Sequence, residues 1–484
     1  MTTLSVARHR TALNRTEPSR PVRSALEDGL ITQETSVFDY GCGRGDDLRL
    51  LQSRGIHCEG WDPAYSPQNE RTPADIINLG YVVNVIEDPV ERATVLRNAW
   101  ALAQKLLVVS ARLTVEANGR SQTSYEDGCL TRLGTFQKFY EQHELREWID
   151  QSLGVSSVPA APGIFYVFRD PDLQQSFVAS RYRRQAAAPR QRQSDLLFEQ
   201  HKALFESLIA FLTARGRLPD ESELPQAPDI CQAVGSLNRA FGIIRRVTGD
   251  EAWKRIQDER SQDLLMYLAL SRFDGRPRFS QLPRDLQLDV RAFFSTYSRA
   301  CDAADKLLFS AGDSRKVDEA CRTSPVGKLT PAALYIHVSA LSHLPSILRV
   351  YEGCARAYIG AVEGANIVKL HRGSPQVSYL SYPEFERDPH PTLAASLVVP
   401  LQTFRIRYYD YKDSKNPPLL HRKEEFLPPD HPLRSKFARL TRQEEKWNLY
   451  EQPETIGTRE GWEKVLAERG ARFSGYRLIR YSLS

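Results

Sequence analysis

The chain has 484 residues, 41% hydrophobic and 26% charged, with a mean hydropathy of −0.45. That length predicts two or three domains able to fold unaided, and the balance excludes a fibre, a disordered polymer and a membrane span. Lys and Arg number 65 against 60 Asp and Glu, a net charge of +5 that admits a nucleic-acid partner without requiring one, because local clustering decides phosphate binding. The seven cysteines contain no CxxC pair, which argues against a disulfide framework and a zinc ribbon. The basic N-terminus is not followed by an apolar stretch, so no secretory signal is read and a cytoplasmic location with reduced thiols is expected.

In chain order, an Arg-rich leader over 1–35 (Arg8, His9, Arg10, Arg15, Arg20, Arg23) precedes alternating strand and helix patterns over 36–170, which predict an α/β layer. The pieces are a strand at 36–39, a helix from Asp46, a strand ending at Trp61 and Asp62, and an apolar run at 75–79. A helix opened by Asp88 and Pro89 as N-cap and first position follows, then a strand at 105–110, helical spacing over 131–151, and a closing hairpin that ends at 164–168. Residues 171–193 read as an Arg-rich linker. Helical spacing such as Leu197, Leu204, Phe205, Leu208 and Leu212 marks a helical domain over 194–365, and shorter alternation marks a mixed α+β region over 366–484. No repeat of 20–50 residues is present.

The most informative string runs from Ser36 to Asp47: a strand, then an acid-x-Gly-x-Gly-x-Gly loop of Asp39, Gly41, Gly43 and Gly45, then a helix. Glycine at three positions lets backbone approach a ligand and admits positive φ. Asp62, at the end of the next strand, could accept both hydroxyls of a ribose across the same crevice. A dinucleotide fingerprint needs its third glycine one residue later, and a phosphate-binding P-loop needs Gly-Lys-Ser/Thr, whereas Gly327-Lys328 is followed by Leu329. The competing bland reading is a glycine turn that binds nothing.

The loop DYGCGRG resembles motif I of class I methyltransferases. The resemblance implies S-adenosylmethionine as cofactor, its methionine amino end held with the help of Asp39 and its ribose by Asp62, with Gly41, Gly43 and Gly45 beside it. Residues 75–88 look like the fourth-strand segment of these enzymes, whose end faces the methyl group, so Asn78, Tyr81 and Asn84 are the candidates for the reacting centre and Glu87 a further proton acceptor. Asp75 follows Asp62 by only 13 positions, too few for a helix and a third strand, so a Rossmann-like domain with an abbreviated sheet is expected. As a whole the chain resembles the DNA phosphorothioation-associated methyltransferase family, through ARHRTALNRTEPSRPVRSALEDGLI, VFDYGCGRGDD with GWDP, DLLMYLALSRFDGRPRF, LYIHVSALSHLPSILRVYEGCAR and NPPLLHRKEEF. That resemblance implies a bacterial cytoplasmic protein linked to systems that place sulfur in DNA backbones.

Other strings read more plainly. Asn416-Pro417-Pro418-Leu419 resembles the amine-binding motif of DNA adenine methyltransferases but lies far from the glycine loop, and a proline-stiffened turn is the preferred reading. The run from His421 to Glu425 reads as a solvated edge, and His337 and His343 lie on nearly opposite helix faces, so no metal pair is expected. The leader and the Arg181–Arg192 arginines, with Tyr182 for stacking, are the nucleic-acid candidates, matched by the alternative of a solvated linker. Tyr408, Tyr409 and Tyr411 read as strand packing.

The expected activity is therefore S-adenosylmethionine-dependent methylation of a nucleic acid, DNA ahead of RNA, with phosphorothioation-system proteins as partners and no membrane or metal. The alternatives are a non-catalytic nucleic-acid-binding or regulatory subunit that keeps the cofactor fold, and methylation of a small molecule or protein.

Overall fold

The computed structural model describes residues 8–11, 15–117, 123–131, 134–184, 187–189 and 195–480. Leader residues 12–14, the side chains of His9 and Arg10, and the linker arginines Arg190 and Arg192 lie outside the described residues. The chain divides into two compact units, one made of Met1–Asp170, Val326–Ala340 and Cys354–Ser484, the other of Pro171–Pro325 and Leu341–Gly353.

The first unit begins with helix α1 (Arg20–Glu27). Strand β1 (Val37–Tyr40) is buried at every position, as a strand covered on both faces must be. Then come α2 (Asp46–Gln52), β2 (Cys58–Trp61), β3 (Ala74–Gly80), α3 (Pro89–Leu102) and β4 (Ala103–Ser110). Asp88 caps α3 as expected, its side chain accepting the Val90 N–H at 2.9 Å with Pro89 at the first position. The layer closes with α4 (Gln142–Leu153) and the hairpin β5 (Val158–Ala161) and β6 (Ile164–Phe168). The sheet order is β2-β1-β3-β4-β6-β5, parallel from β2 to β4, with β6 antiparallel between β4 and β5. Between Trp61 and Ala74 there are turns and an isolated bridge between Asp62 and Ser66 but no strand, so β2 is the sheet edge and the third strand is absent, as the short spacing predicts. The Rossmann-like core packs Phe38, Ile77, Leu79, Leu107 and Val109 against Leu96 and Ile149.

Helix α4 starts later than the 131–151 pattern suggests. Gly134 turns the chain at φ +71°, and Phe136–Gln137 pairs as a strand with Gly128–Leu130. The second part of this unit is a six-stranded antiparallel meander running from Lys328–Leu329 and Ala333–His337 to Arg407–Asp410. Its first two strands fall where helical spacing was read, because Leu334 and Ile336 are buried at strand period 2. Tyr408 and Tyr409, on the edge strand, are exposed rather than packed. This part also covers the sheet edge at β5: the Ala361 N–H donates to the Ala160 carbonyl at 2.7 Å. Gly360, at φ +74°, comes so close that a Cβ would stand 2.2 Å from that carbonyl. Gln142 Nε2 reaches the Tyr358 carbonyl at 3.3 Å, and Glu363 pairs with Arg20 (3.0 Å) and Arg23.

Two readings of charged strings change here. Asn416 is structural, accepting the Glu460 N–H at 2.9 Å at the start of the helix Arg459–Glu468, in keeping with a turn. The 421–425 run, by contrast, is not a solvated edge. Lys423 is only 2% exposed, and its Nζ donates to the carbonyls of Phe385 (2.6 Å) and Asp388 (2.5 Å) and to Tyr476 Oη (2.6 Å). Burial pushes this ammonium down to about 7, and the three acceptors and the Phe437 ring at 4.0 Å are what make such burial tolerable.

The second unit is helical. Its core includes Phe205, Leu208, Leu212, Ile243, Ile244 and Ile256 from helices Lys202–Arg215, Leu237–Thr248 and Asp250–Leu270. Tyr182 is 7% exposed, with its carbonyl accepting from Arg349 at 2.8 Å, which removes it as a stacking platform. Arg184 is held by Asp263 at 2.8 Å, so this part of the linker is packed and ion-paired.

Candidate functional site

Strand β1 delivers Asp39 to the loop between β1 and α2. Gly41, Gly43 and Gly45 all have positive φ, at +91°, +54° and +76°, a region where an L side chain costs about 1–2 kcal/mol. Gly41 carries a second constraint, since a Cβ there would stand 2.5 Å from Val82 Cγ2. The three glycines thus do what the sequence pattern requires: they fold the loop tightly and bare its backbone.

Asp39 lies beneath the loop at 4% exposure, and Asn78 Nδ2 donates to its Oδ1 at 2.8 Å. Burial, and after it the Asp47 carboxylate, push the Asp39 carboxyl up to about 7. A carboxyl raised in the folded state binds more protons folded than unfolded. Its contribution to stability is therefore lost as pH climbs from the ordinary Asp range, about 4, through its folded value. Asp39→Asn keeps an acceptor for Asn78. It is expected to raise the calorimetric melting midpoint of the ligand-free chain at about pH 8, by roughly 1–2 °C per kcal/mol of relieved desolvation in a unit of this size. The gain shrinks as pH is lowered toward about 4; a gain independent of pH would show that the charge is not its source.

Asp62 is engaged by the loop itself. Oδ2 accepts the Gly43 N–H at 3.0 Å, and Oδ1 accepts those of Ala64 (2.8 Å) and Tyr65 (3.0 Å). A carboxylate offers about four lone-pair directions, so one, on Oδ2, remains.

At the N-terminus of α2, Asp46 and Asp47 are buried and tied to the leader: Asp46 Oδ2 accepts the Arg15 N–H at 2.7 Å and Asp47 Oδ1 the Ser19 N–H at 2.6 Å. Residues 15–20 and Arg23 accordingly line a cavity of about 1310 Å³ together with Gly41, Gly43, Trp61, Asp62, Tyr65 and Tyr81. Arg8 also lines it and bonds Glu87 (2.8 Å) and Glu91 (2.6 Å). The leader arginines are thus mostly ion-paired: Arg8 with those glutamates, Arg20 and Arg23 with Glu363. Arg15, Arg44 and Arg112 line the cavity with no ion pair among the described residues, Arg44 lying over the Tyr65 ring at 5.4 Å.

Of the expected residues, Gly41, Gly43, Asp62, Tyr81 and Asn84 reach the cavity wall, whereas Asp39, Gly45 and Asn78 lie behind it. Tyr81 adopts φ +60°, held by the Ser110 carbonyl (3.1 Å) and Oγ (3.0 Å), both accepting its N–H. A non-glycine residue in that region carries strain, and burial raises its phenol pKa. Asn84 is 1% exposed, its Nδ2 donating to Gln137 Oε1 at 3.0 Å and its Oδ1 without a hydrogen-bond partner. Burial opposes ionisation of Glu87, but the hydrogen bond and the charge of Arg8 together with a backbone hydrogen bond outweigh it and leave the carboxyl lowered, so Glu87 is a paired anion rather than a free base. Sequence reasoning missed Arg112, Tyr125 and Gln137 and the leader's part in the lining, which join the site through contacts with no local periodicity. Among the described residues no cluster of three or more His, Cys, Asp or Glu could hold a metal ion.

No protein-family profile matches the chain, and no curated protein matches it significantly. Solved structures similar to it include 1,6-didemethyltoxoflavin-N1-methyltransferase from Burkholderia thailandensis, with 1,6-didemethyltoxoflavin and S-adenosylhomocysteine bound (13% identity, 34% of this chain and 78% of that one, TM-score 0.25). Another is the magnesium protoporphyrin IX methyltransferase of Synechocystis with S-adenosylhomocysteine (14% identity, 34% and 93%, TM-score 0.24). A third is an amino pentose methyltransferase from Micromonospora echinaspora with S-adenosylmethionine bound (15% identity, 31% and 88%, TM-score 0.22).

Proposed function

We propose that the chain is an S-adenosylmethionine-dependent methyltransferase acting on nucleic acid, DNA ahead of RNA, in association with DNA phosphorothioation systems. The observation that carries the cofactor assignment is the glycine loop set among four acids, Asp39, Asp46, Asp47 and Asp62, the first three buried. Acids at a helix N-terminus occupy the place where a dinucleotide's pyrophosphate would sit and repel it. A ligand bearing sulfonium and ammonium charges is attracted by the same field.

Gly41 and Gly43 would bare backbone to the cofactor, Asp62 would take one ribose hydroxyl, and the cofactor's positive charge above the buried Asp39 would favour its ionised form. Bound there, the cofactor supplies a methyl group activated by its positive sulfur. The chain's remaining task is alignment of an acceptor, worth up to roughly 7–11 kcal/mol in well-oriented systems. Tyr81 and Asn84, which line the same cavity, would orient that acceptor. The cavity, at about 1310 Å³, exceeds the roughly 300–1,000 Å³ of an ordinary ligand pocket, which leaves room for an extruded base. Unpaired Arg15, Arg44 and Arg112 favour a phosphate-bearing acceptor. The link to phosphorothioation rests on the sequence resemblance.

Calorimetric titration with S-adenosylmethionine and S-adenosylhomocysteine, then labelled-methyl transfer to DNA, RNA and small molecules, tests the reading. Micromolar binding with transfer to DNA is expected, and DNA affinity should fall steeply with salt. Binding without transfer to any acceptor would establish the regulatory-subunit alternative, and no binding would overturn the cofactor assignment.

A further inference from the structure

Within the helical unit, Arg215 and Arg260 are 9% and 5% exposed, yet the Nε–H of each has no acceptor. Both line a cavity of about 20 Å³, with Arg183 exposed at its mouth and Asp263, Asp289 and Tyr267 in its wall. The two carboxylates are already committed. Asp263 serves Arg184 (2.8 Å), Arg349 (2.7 Å) and, more loosely, Arg260 (3.5 Å), and Asp289 serves Arg217 (2.6 Å) and Arg215 (2.7 Å). Asp285, outside the wall, takes the remaining Arg215 nitrogen at 2.9 Å. Tyr267 is spent on Gln175, to which it donates at 2.7 Å.

We propose that this cavity binds one halide-sized anion, chloride under ordinary salt, between the guanidinium groups of Arg183, Arg215 and Arg260. Guanidinium carries only donors, so the unmade Nε–H bonds require an acceptor, and water or an anion are the choices. Arg183 has no carboxylate at ion-pair distance among the described residues; burial lowers its pKa, and the charges of Arg215 and Arg260 add to that while Asp289 and Asp285 offset only part of it. An anion relieves that repulsion, whereas water does not. The volume fits about one water-sized body and excludes a phosphodiester or a carboxylate ligand.

The test uses the full chain in chloride against gluconate at constant ionic strength. Hydrogen exchange of peptides from the helices Lys202–Arg215 and Asp250–Leu270 is expected to slow in chloride, about tenfold per tenfold of chloride above the dissociation constant where exchange needs unfolding of this unit. Peptides spanning the glycine loop should not respond. A bromide soak should give anomalous density between Arg215 and Arg260. Arg183→Gln, at the exposed mouth, should move the chloride midpoint several-fold higher with the fold intact. Equal protection in chloride and gluconate, absent bromide density, or an unchanged midpoint in Arg183→Gln would each overturn the proposal and leave a water-filled cavity.

Discussion

Gly41→Ala is expected to lower affinity for S-adenosylhomocysteine by roughly 100-fold while the helical unit melts unchanged. Two costs combine. A side chain at φ +91° costs about 1–2 kcal/mol, and a Cβ 2.5 Å from Val82 Cγ2 forces loop or strand end to shift. Valine is short and branched, so it has no cheap way to move aside. Together they reach the roughly 2.7 kcal/mol that a 100-fold change needs. Adding Val82→Ala removes the clash and leaves the strain, so the double variant should recover about tenfold. Titration calorimetry of the three proteins decides it, and undiminished binding by Gly41→Ala would mean that the ligand never meets this loop.

Asp62→Asn should weaken the same ligand by roughly 10- to 100-fold for a different reason. A hydrogen bond to a charged acceptor contributes about 1.5–3 kcal/mol, and the amide that replaces Oδ2 or Oδ1 must face a backbone N–H donor. Gly43 at 3.0 Å, or Ala64 and Tyr65 at 2.8 and 3.0 Å, would lose an acceptor. With one lone-pair direction left for a ribose, deleting one hydroxyl of the ligand should cost the wild-type chain affinity and deleting the other should not. In Asp62→Asn neither deletion should matter further. Equal sensitivity to both hydroxyls in the wild type would show that the carboxylate leaves its backbone partners to bind ribose.

The elements nearest the loop were legible because each obeys a local rule. Glycines at Gly41, Gly43 and Gly45 announce positive φ, Asp88 with Pro89 announces a helix start, and the gap from Asp62 to Asp75 is too short for another strand and helix. The leader's share of the cavity lining was not legible. It depends on the Arg15 and Ser19 N–H groups reaching Asp46 and Asp47 some 30 residues away, and backbone donors carry no sequence signature. Lys423 misled for a related reason: its residue type says solvent, but two carbonyls and a phenol gather around it from Phe385, Asp388 and Tyr476. Tyr182 and Arg184 belong to the same class, since a basic stretch looks solvated until its carboxylates arrive from Asp263.

The coverage of β5 by Gly360 and Ala361, and of Arg20 and Arg23 by Glu363, sets a schedule during synthesis. The helical unit is translated between these partners. At roughly 5–20 residues per second, the stretch from Asp170 to Glu363 takes on the order of 10–40 s to emerge from the ribosome. Throughout that interval the nascent sheet has a bare edge at Ala160, an invitation to wrong pairing. The length of the helical insertion therefore fixes how long that edge stands unpaired, and a circularly permuted gene that places 326–484 ahead of Met1 would shorten the wait.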